Sequence, residues 1–274
     1  MTYFQLVVTV LKKASLVGAF FMAAQPFALA LDSHCMPPQK AVAYSIQRVV
    51  DGDTLRLKDG RSVRLIGINT PELGGYGRTA EPYAEQAKHR LVRLVQANEG
   101  KLWLQLGEQE HDRYGRVLAY VYDRHGVSLA AQLLAEGLAY HVVVEPNVAA
   151  AECLSRVEKR AQQAALGVWK TPRYLSVSQV KQGGFTLLHG RIEAVRRTRS
   201  GVWLELGQSL ALYIPKQAIG YFSDQSFERW QGRGIKVRGW LSEQRGGDKS
   251  FSRWRLTLSH PSMLELESQK EPKN

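Results

Sequence analysis

Asp51-Gly52-Asp53 sets two carboxylates on either side of a glycine that permits a tight turn. Such a turn can aim one carboxylate at a hard cation and leave the other to orient a water or a neighbouring ligand. Alone, it is also an ordinary Asp-Gly hairpin. Arg64 sits inside the apolar run Val63-Arg64-Leu65-Ile66, where a permanently charged guanidinium needs solvent, an acid or a phosphate as partner. Asn69-Thr70-Pro71-Glu72 offers an amide oxygen, backbone carbonyls and a carboxylate within one stiffened turn. These are oxygen donors, suited to calcium or magnesium rather than zinc. Asp112-Arg113-Tyr114-Gly115-Arg116 brings a second arginine to the start of a strand.

Each cluster alone is more often surface than site, but together they supply what phosphoryl transfer requires. That is a cation, planar bidentate donors for the charge that builds on phosphate, and a carboxylate near the attacking water. The seven histidines show no ligand spacing, and the two cysteines, Cys35 and Cys153, form no C-x-x-C pair, which argues against zinc.

The elements that must hold these residues follow from the hydropathy pattern. Alternation at Ser45–Val50, Thr54–Lys58 and Ser62–Ile68, punctuated by Asp51-Gly52 and Asp59-Gly60, predicts a three-stranded meander. Glu81–Gln96 has helical period, with Pro82 suited to the first helical position. Strands are expected at Lys101–Leu106 and Arg116–Tyr122. Two further helices are expected, one capped by Ser128 and one by Asn147 and running to about Leu166.

Residues 171–183 read as a linker. Alternation then returns at Leu187–Val195, Val202–Leu206, Leu210–Ile214, Ile235–Leu241 and Arg253–Leu258. Both halves read as five-strand units, with no sequence repeat that would make them copies.

Lys12 and Lys13 precede an apolar run that closes in small residues, Ala28-Leu29-Ala30, the pattern of a secretory signal peptide cut after Ala30. The competing reading is an uncleaved anchor, but the run is shorter than the roughly 20 residues a spanning helix needs. The expectation is a periplasmic or secreted protein with no stable membrane insertion after cleavage. In an oxidising compartment Cys35 and Cys153 could bridge; they could equally be two unrelated thiols.

The formal charge of +12 is uneven, with 19 Lys/Arg against 16 Asp/Glu in residues 31–175 and 16 against 9 in residues 176–274. A basic excess suits a polyanionic partner.

In order and spacing, Val-Val-Asp-Gly-Asp-Thr, Val-Arg-Leu, Asn-Thr-Pro-Glu and Asp-Arg-Tyr-Gly-Arg-Val-Leu-Ala-Tyr-Val-Tyr resemble the staphylococcal nuclease (thermonuclease) family over about residues 44–170. The resemblance implies an α+β, mainly β fold, with an OB-type five-stranded barrel and three helices. It also implies calcium-dependent cleavage of DNA and RNA that leaves 3′-phosphate ends, with magnesium or manganese open as alternatives.

Carried over by position, Asp53, Asn69 and the Thr70 carbonyl match the metal ligands, and Asp51 matches a group behind them. Arg64 and Arg116 match the phosphate-binding arginines, and Glu72 matches the general base or water-positioning carboxylate. Asn69 departs from the family's usual aspartate, which implies weaker calcium affinity. Arg78, Lys88, Arg113 and Tyr114 could line a nucleic-acid groove, with single strands the expected preference.

Residues 184–266 resemble a second, small OB-like barrel and residues 267–274 a polar tail. Arginines interleaved with Trp203, Trp230, Trp240 and Trp254 match a stacking groove for single strands, or else core tryptophans with a solvated rim. A catalytically weak nucleic-acid-binding module of the cell envelope is the alternative function.

Overall fold

A computed structural model describes residues 35, 39–75, 77, 79–244 and 252–267. The expected signal peptide at 1–30, the tail at 268–274 and Arg78 lie outside the described residues. Among the described residues no helix is long and apolar enough to cross a membrane.

The first half runs β1 Val42–Val49, β2 Thr54–Leu57, β3 Ser62–Leu65, β4 Ile68–Asn69, α1 Ala84–Ala97, β5 Lys101–His111, β6 Val117–Tyr122, α2 Leu129–Ala135, β7 Tyr140–His141 and α3 Ala151–Gln163. Five of these strands close into a barrel in the order β1-β2-β3-β6-β5. The β3–β6 pair is parallel, and β4 pairs separately with β7. Alternation along the strands sends Leu55, Leu57, Val63, Leu65, Leu102 and Leu104 inward, where α1 adds Ala87 and Leu91 and α2 adds Leu133. Each buried leucine or valine among them contributes roughly 1.5–3 kcal/mol relative to exposure.

Ser128 caps α2 as its sequence position predicts, its Oγ accepting from Ala131 N at 3.3 Å. Two helix starts differ from expectation. Tyr83 takes a left-handed conformation (φ 71°), so α1 opens at Ala84 rather than Glu81. α3 opens at Ala151, because Asn147 is not its cap; the Asn147 side chain instead bonds the backbone of Gln109, at 3.0 Å to its N–H and 3.0 Å to its carbonyl.

The second half runs β8 Tyr174–Ser176, β9 Gly184–Arg191, β10 Ala194–Thr198, β11 Gly201–Leu206, β12 Leu210–Pro215, β13 Gly234–Glu243, β14 Trp254–Thr257 and β15 Leu264–Leu266. Within the stretch read as a linker, β8 pairs with β9 and a 3-10 turn follows at Val177–Gln179.

β9 and β10 are one strand bent at Ile192-Glu193. Ile192 exchanges backbone bonds with Arg233 and Gly232 on one side of the bend, and Glu193 N bonds Glu205 O on the other. The path β9/β10-β11-β12-β14-β13 therefore returns to β9, again with one parallel pair, β12–β14. This is the strand path of the first barrel. Trp230 and Trp254 belong to its core, where Trp230 packs on Phe227 at 4.8 Å. They are therefore not stacking platforms, whereas Trp240 is exposed.

A disulfide joins Cys35 to Cys153, 118 residues apart, and so ties the N-terminal segment to α3. Cross-linking so long a loop restricts the unfolded chain. Replacing both cysteines by serine is expected to lower stability by about 2–5 kcal/mol, read from thermal or denaturant midpoints. Unchanged midpoints would show that the tie constrains little.

The barrels meet through a buried polar cluster. Arg238 of β13 donates to the His141 carbonyl at 2.7 Å and to the Ser262 carbonyl at 2.9 Å, and it ion-pairs with Glu158 of α3. Glu158 also accepts from His141 N at 2.6 Å. Burial pushes the Glu158 carboxyl up to about 7, against the pull of the Arg238 charge and the His141 N–H. Burial, then the Arg238 charge, pushes His141 down to about 3, so its ring stays neutral.

Candidate active site

The Asp51–Asp53 turn joins β1 to β2, and its glycine is required by space. A Cβ on Gly52 would lie 2.7 Å from Thr70 Oγ1 and 2.8 Å from the Ala87 Cβ. This close approach presses the turn against the segment that follows β4. Asp51 Oδ1 accepts from Asp53 N at 3.0 Å, which fixes the turn from within.

Asp53 is buried and fully engaged. Its Oδ2 accepts from Thr70 N at 2.8 Å and Thr70 Oγ1 at 3.1 Å, and its Oδ1 accepts from Thr54 Oγ1 at 3.1 Å. Arg64 ion-pairs with the same Oδ2 at 3.0 Å. Arg64 reaches it from β3, where it stands opposite Thr54 on one side and Leu118 on the other. Its Nη1 donates to the carbonyls of Leu65 (2.7 Å) and Ile68 (2.8 Å), and its Nη2 to Asn69 Oδ1 (3.0 Å). One guanidinium thus joins Asp53, Asn69 and the β3–β4 backbone. The partner that an arginine inside an apolar strand demands is Asp53.

Glu72 is pinned to Glu81 through its backbone. Its N–H donates to Glu81 Oε2 at 2.9 Å, and its carbonyl accepts from Glu81 N at 2.9 Å. Its own carboxyl is raised by burial first, then by the charges of Asp53, Asp51 and Glu81, with Arg64 pulling the other way. Glu81 was not singled out in sequence, since nothing local marks a residue nine positions on as the partner of Glu72.

Arg116 stands at the start of β6. Its Nε donates to Asp112 Oδ2 at 2.7 Å and its backbone N–H to Asp112 Oδ1 at 2.9 Å. Among the described residues its two Nη atoms have no assigned hydrogen bond, so the outward edge of the fork is uncommitted. Arg113 and Tyr114 are exposed beside it. Arg113 donates to the Tyr114 hydroxyl at 2.6 Å, and the Tyr114 ring lies 5.6 Å from the Arg116 guanidinium carbon.

Asp53, Arg64, Asn69 and Thr70 are therefore in direct contact, Asp51 joins them through the turn, and Glu72 senses their charge. Arg113, Tyr114 and Arg116 form a separate cluster on the β5–β6 turn. Lys88 lies on α1 and, among the described residues, makes no hydrogen bond or ion pair.

The donor chemistry fits a hard cation. Burial, then the Asp53 charge, raises the Asp51 carboxyl, and burial, then the Asp53 and Asp51 charges, raises Glu72, a repulsion that a dication would relieve. No group of three or more His, Cys, Asp or Glu positioned to hold a metal occurs among the described residues. A ligand set here must draw on the Thr70 carbonyl and the Asn69 amide oxygen besides the carboxylates. That amide oxygen accepts from Arg64, and its nitrogen lies 3.4 Å from the Thr70 carbonyl.

The family model described as staphylococcal nuclease homologue matches residues 62–171. The chain is 35% identical over 148 residues to Endonuclease YncB of Bacillus subtilis (strain 168), covering 52% of this chain and 69% of that protein. It is 36% identical over 130 residues to Thermonuclease of Staphylococcus hyicus, covering 46% of this chain and 75% of that protein. It is 36% identical over 143 residues to SPbeta prophage-derived endonuclease YokF of Bacillus subtilis (strain 168), covering 50% of this chain but 47% of that protein. With the barrel, the three helices and the Asp53–Arg64 site in place, these matches make the chain a member of the staphylococcal nuclease family.

Proposed function

We propose that the chain is an exported, metal-dependent nuclease that hydrolyses phosphodiester bonds of DNA and RNA and leaves 3′-phosphate ends, with calcium the preferred ion. The observation that carries this reading is the contact of Asp53 with Arg64 and Thr70, with Asn69 bonded to the same guanidinium, together with a Glu72 carboxyl raised by burial and by the charges of Asp53 and Asp51. The ion, when bound, supplies Lewis-acid polarisation of a phosphate oxygen.

The chain's own residues do the rest. Asp53, with the Thr70 carbonyl and Asn69 amide oxygens, would hold the cation, and Asp51 keeps the turn in shape. Arg64 and the free fork of Arg116 bind the scissile phosphate and stabilise charge as it develops on its oxygens. Glu72 accepts a proton from the attacking water, a task for which a carboxyl raised above its ordinary value is suited. Tyr114 and Arg113 flank the approach. The signal-like residues 1–30 and the Cys35–Cys153 disulfide support export.

The test is release of acid-soluble nucleotides from single- and double-stranded DNA and from RNA, with calcium, with magnesium and with chelator, beside an Arg64→Ala/Glu72→Ala variant. Metal-dependent release that disappears in the variant is expected. Binding without release under any metal would replace the enzyme by a nucleic-acid-binding module. Finding the activity only inside producing cells would overturn export.

A further inference from the structure

The second barrel carries a pair of large rings on its outside. Along β11 and β12 the side chains of Val202, Leu204, Leu212 and Ile214 point inward and are buried. Trp203 and Tyr213, alternating with them, point outward and belong to none of the packed cores. The two stand directly opposite each other, ring centroids 4.5 Å apart and planes 33° from parallel, and Arg196 of β10 stands opposite Trp203. The Tyr213 hydroxyl donates to the Ser200 carbonyl at 2.7 Å, so its ring is held in place rather than swinging free.

Basic groups frame the pair. Arg196 is paired with Glu205, while Arg199 is exposed at the tip of the β10–β11 turn. Arg255 of β14 lies on the same outer face, opposite Ala211, and its Nε is a buried donor without a hydrogen-bond partner. This half of the chain also holds the larger excess of Lys/Arg, 16 against 9 Asp/Glu in residues 176–274.

We propose that the outer face of β10–β12 binds single-stranded nucleic acid, with bases stacking on Trp203 and Tyr213 and Arg196, Arg199 and Arg255 taking phosphates. Preformed, half-buried rings on an outer face accept any base because every base has a π-face, and the surrounding positive charge selects a polyanion over an apolar or neutral partner. A duplex keeps its bases stacked on one another and cannot offer them to the rings. The choice of nucleic acid as the polyanion rests on the nuclease reading above, but the face lies outside the cutting site and would hold substrate whether or not it is cut.

The measurement is fluorescence anisotropy of a labelled oligothymidine with the full chain in chelator, where metal-dependent cutting is suppressed. Trp203→Ala and Tyr213→Ala are each expected to weaken affinity roughly tenfold, and Trp203→Phe to restore most of it. Arg199→Glu, at an exposed turn that no core depends on, is expected to weaken binding with a shallower salt dependence. Cleavage of a small phosphodiester such as bis(4-nitrophenyl) phosphate should be unaffected by all of these changes. Unchanged oligothymidine affinity in the ring variants and in Arg199→Glu would overturn the proposal, as would a wild-type preference for duplex. Loss of binding in these variants alongside a wild type that never cuts would uphold the face and reject the nuclease reading.

Discussion

Replacing Arg64 with alanine will lower the cleavage rate by about 10²–10³-fold, the loss typical of one preorganised donor to developing charge. Lysine will recover little of it. The guanidinium serves Asp53, Asn69 and the carbonyls of Leu65 and Ile68 at once, from two different nitrogens. An ammonium is a single point charge and cannot span that set. The substitution also leaves the Asp53 carboxylate buried without its cation, so a share of the loss will show as lower stability. Rates should therefore be compared well below the variant's own unfolding midpoint. A folded Arg64→Ala protein that cuts at the wild-type rate would remove Arg64 from the chemistry and leave it a structural counter-charge.

Arg238→Met will destabilise the protein by about 3–5 kcal/mol, because it strands Glu158 in the seam between the barrels without its partner. The deficit will grow with pH. Glu158 titrates near 7 in the folded protein against an ordinary 4.5, so the folded state binds this proton more tightly than the unfolded state. Stability linked to that proton is fully present below the unfolded value and is lost as pH rises through the folded one.

Removing the Arg238 charge takes away the main pull in the opposite direction. Near Glu158 there remain the neutral His141, whose N–H it accepts, and Tyr140 and Tyr174, whose hydroxyls are themselves pushed up by burial. Denaturant midpoints at pH 4.5 and pH 8 check this, with the gap between variant and wild type wider at pH 8. An equal gap at both would mean Glu158 never carries the cost. Arg238→Met/Glu158→Gln should regain most of the lost stability, since the amide still accepts from His141 N.

The same contrast explains what the sequence could and could not reveal. The contact of Asp53 with Arg64 and Thr70 was legible because turn chemistry and a charge inside an apolar strand leave local marks, and β3 with its flanking turns brings them together over short distances. The strands of both barrels were legible from alternation. The start of α3 was not, because Asn147 has the composition of a cap but spends its side chain on β5, a contact 38 residues away. Glu158 and Arg238 look like ordinary solvated charges in their own segments, and only the seam, formed by elements 80 residues apart, makes them partners. The tryptophans divided for the same reason. Position along a strand sets which face a ring takes, but Trp230 lies in a 3-10 turn whose direction no alternation predicts.

Both rings of strands close on a parallel pair, and in the first barrel that pair joins β3 to β6, with Val63 opposite Val117. Hairpins β1–β2 and β2–β3 can form early from neighbouring residues, whereas this seam must wait until the chain has traversed α1 and β5. Arg64 lies on one side of the seam and Arg116 beside the other. The two arginines proposed to grip the phosphate are therefore far apart in the unfolded chain and are brought to one seam only when β3 and β6 pair. In the proposed nuclease, cutting power therefore arrives only with closure of the barrel.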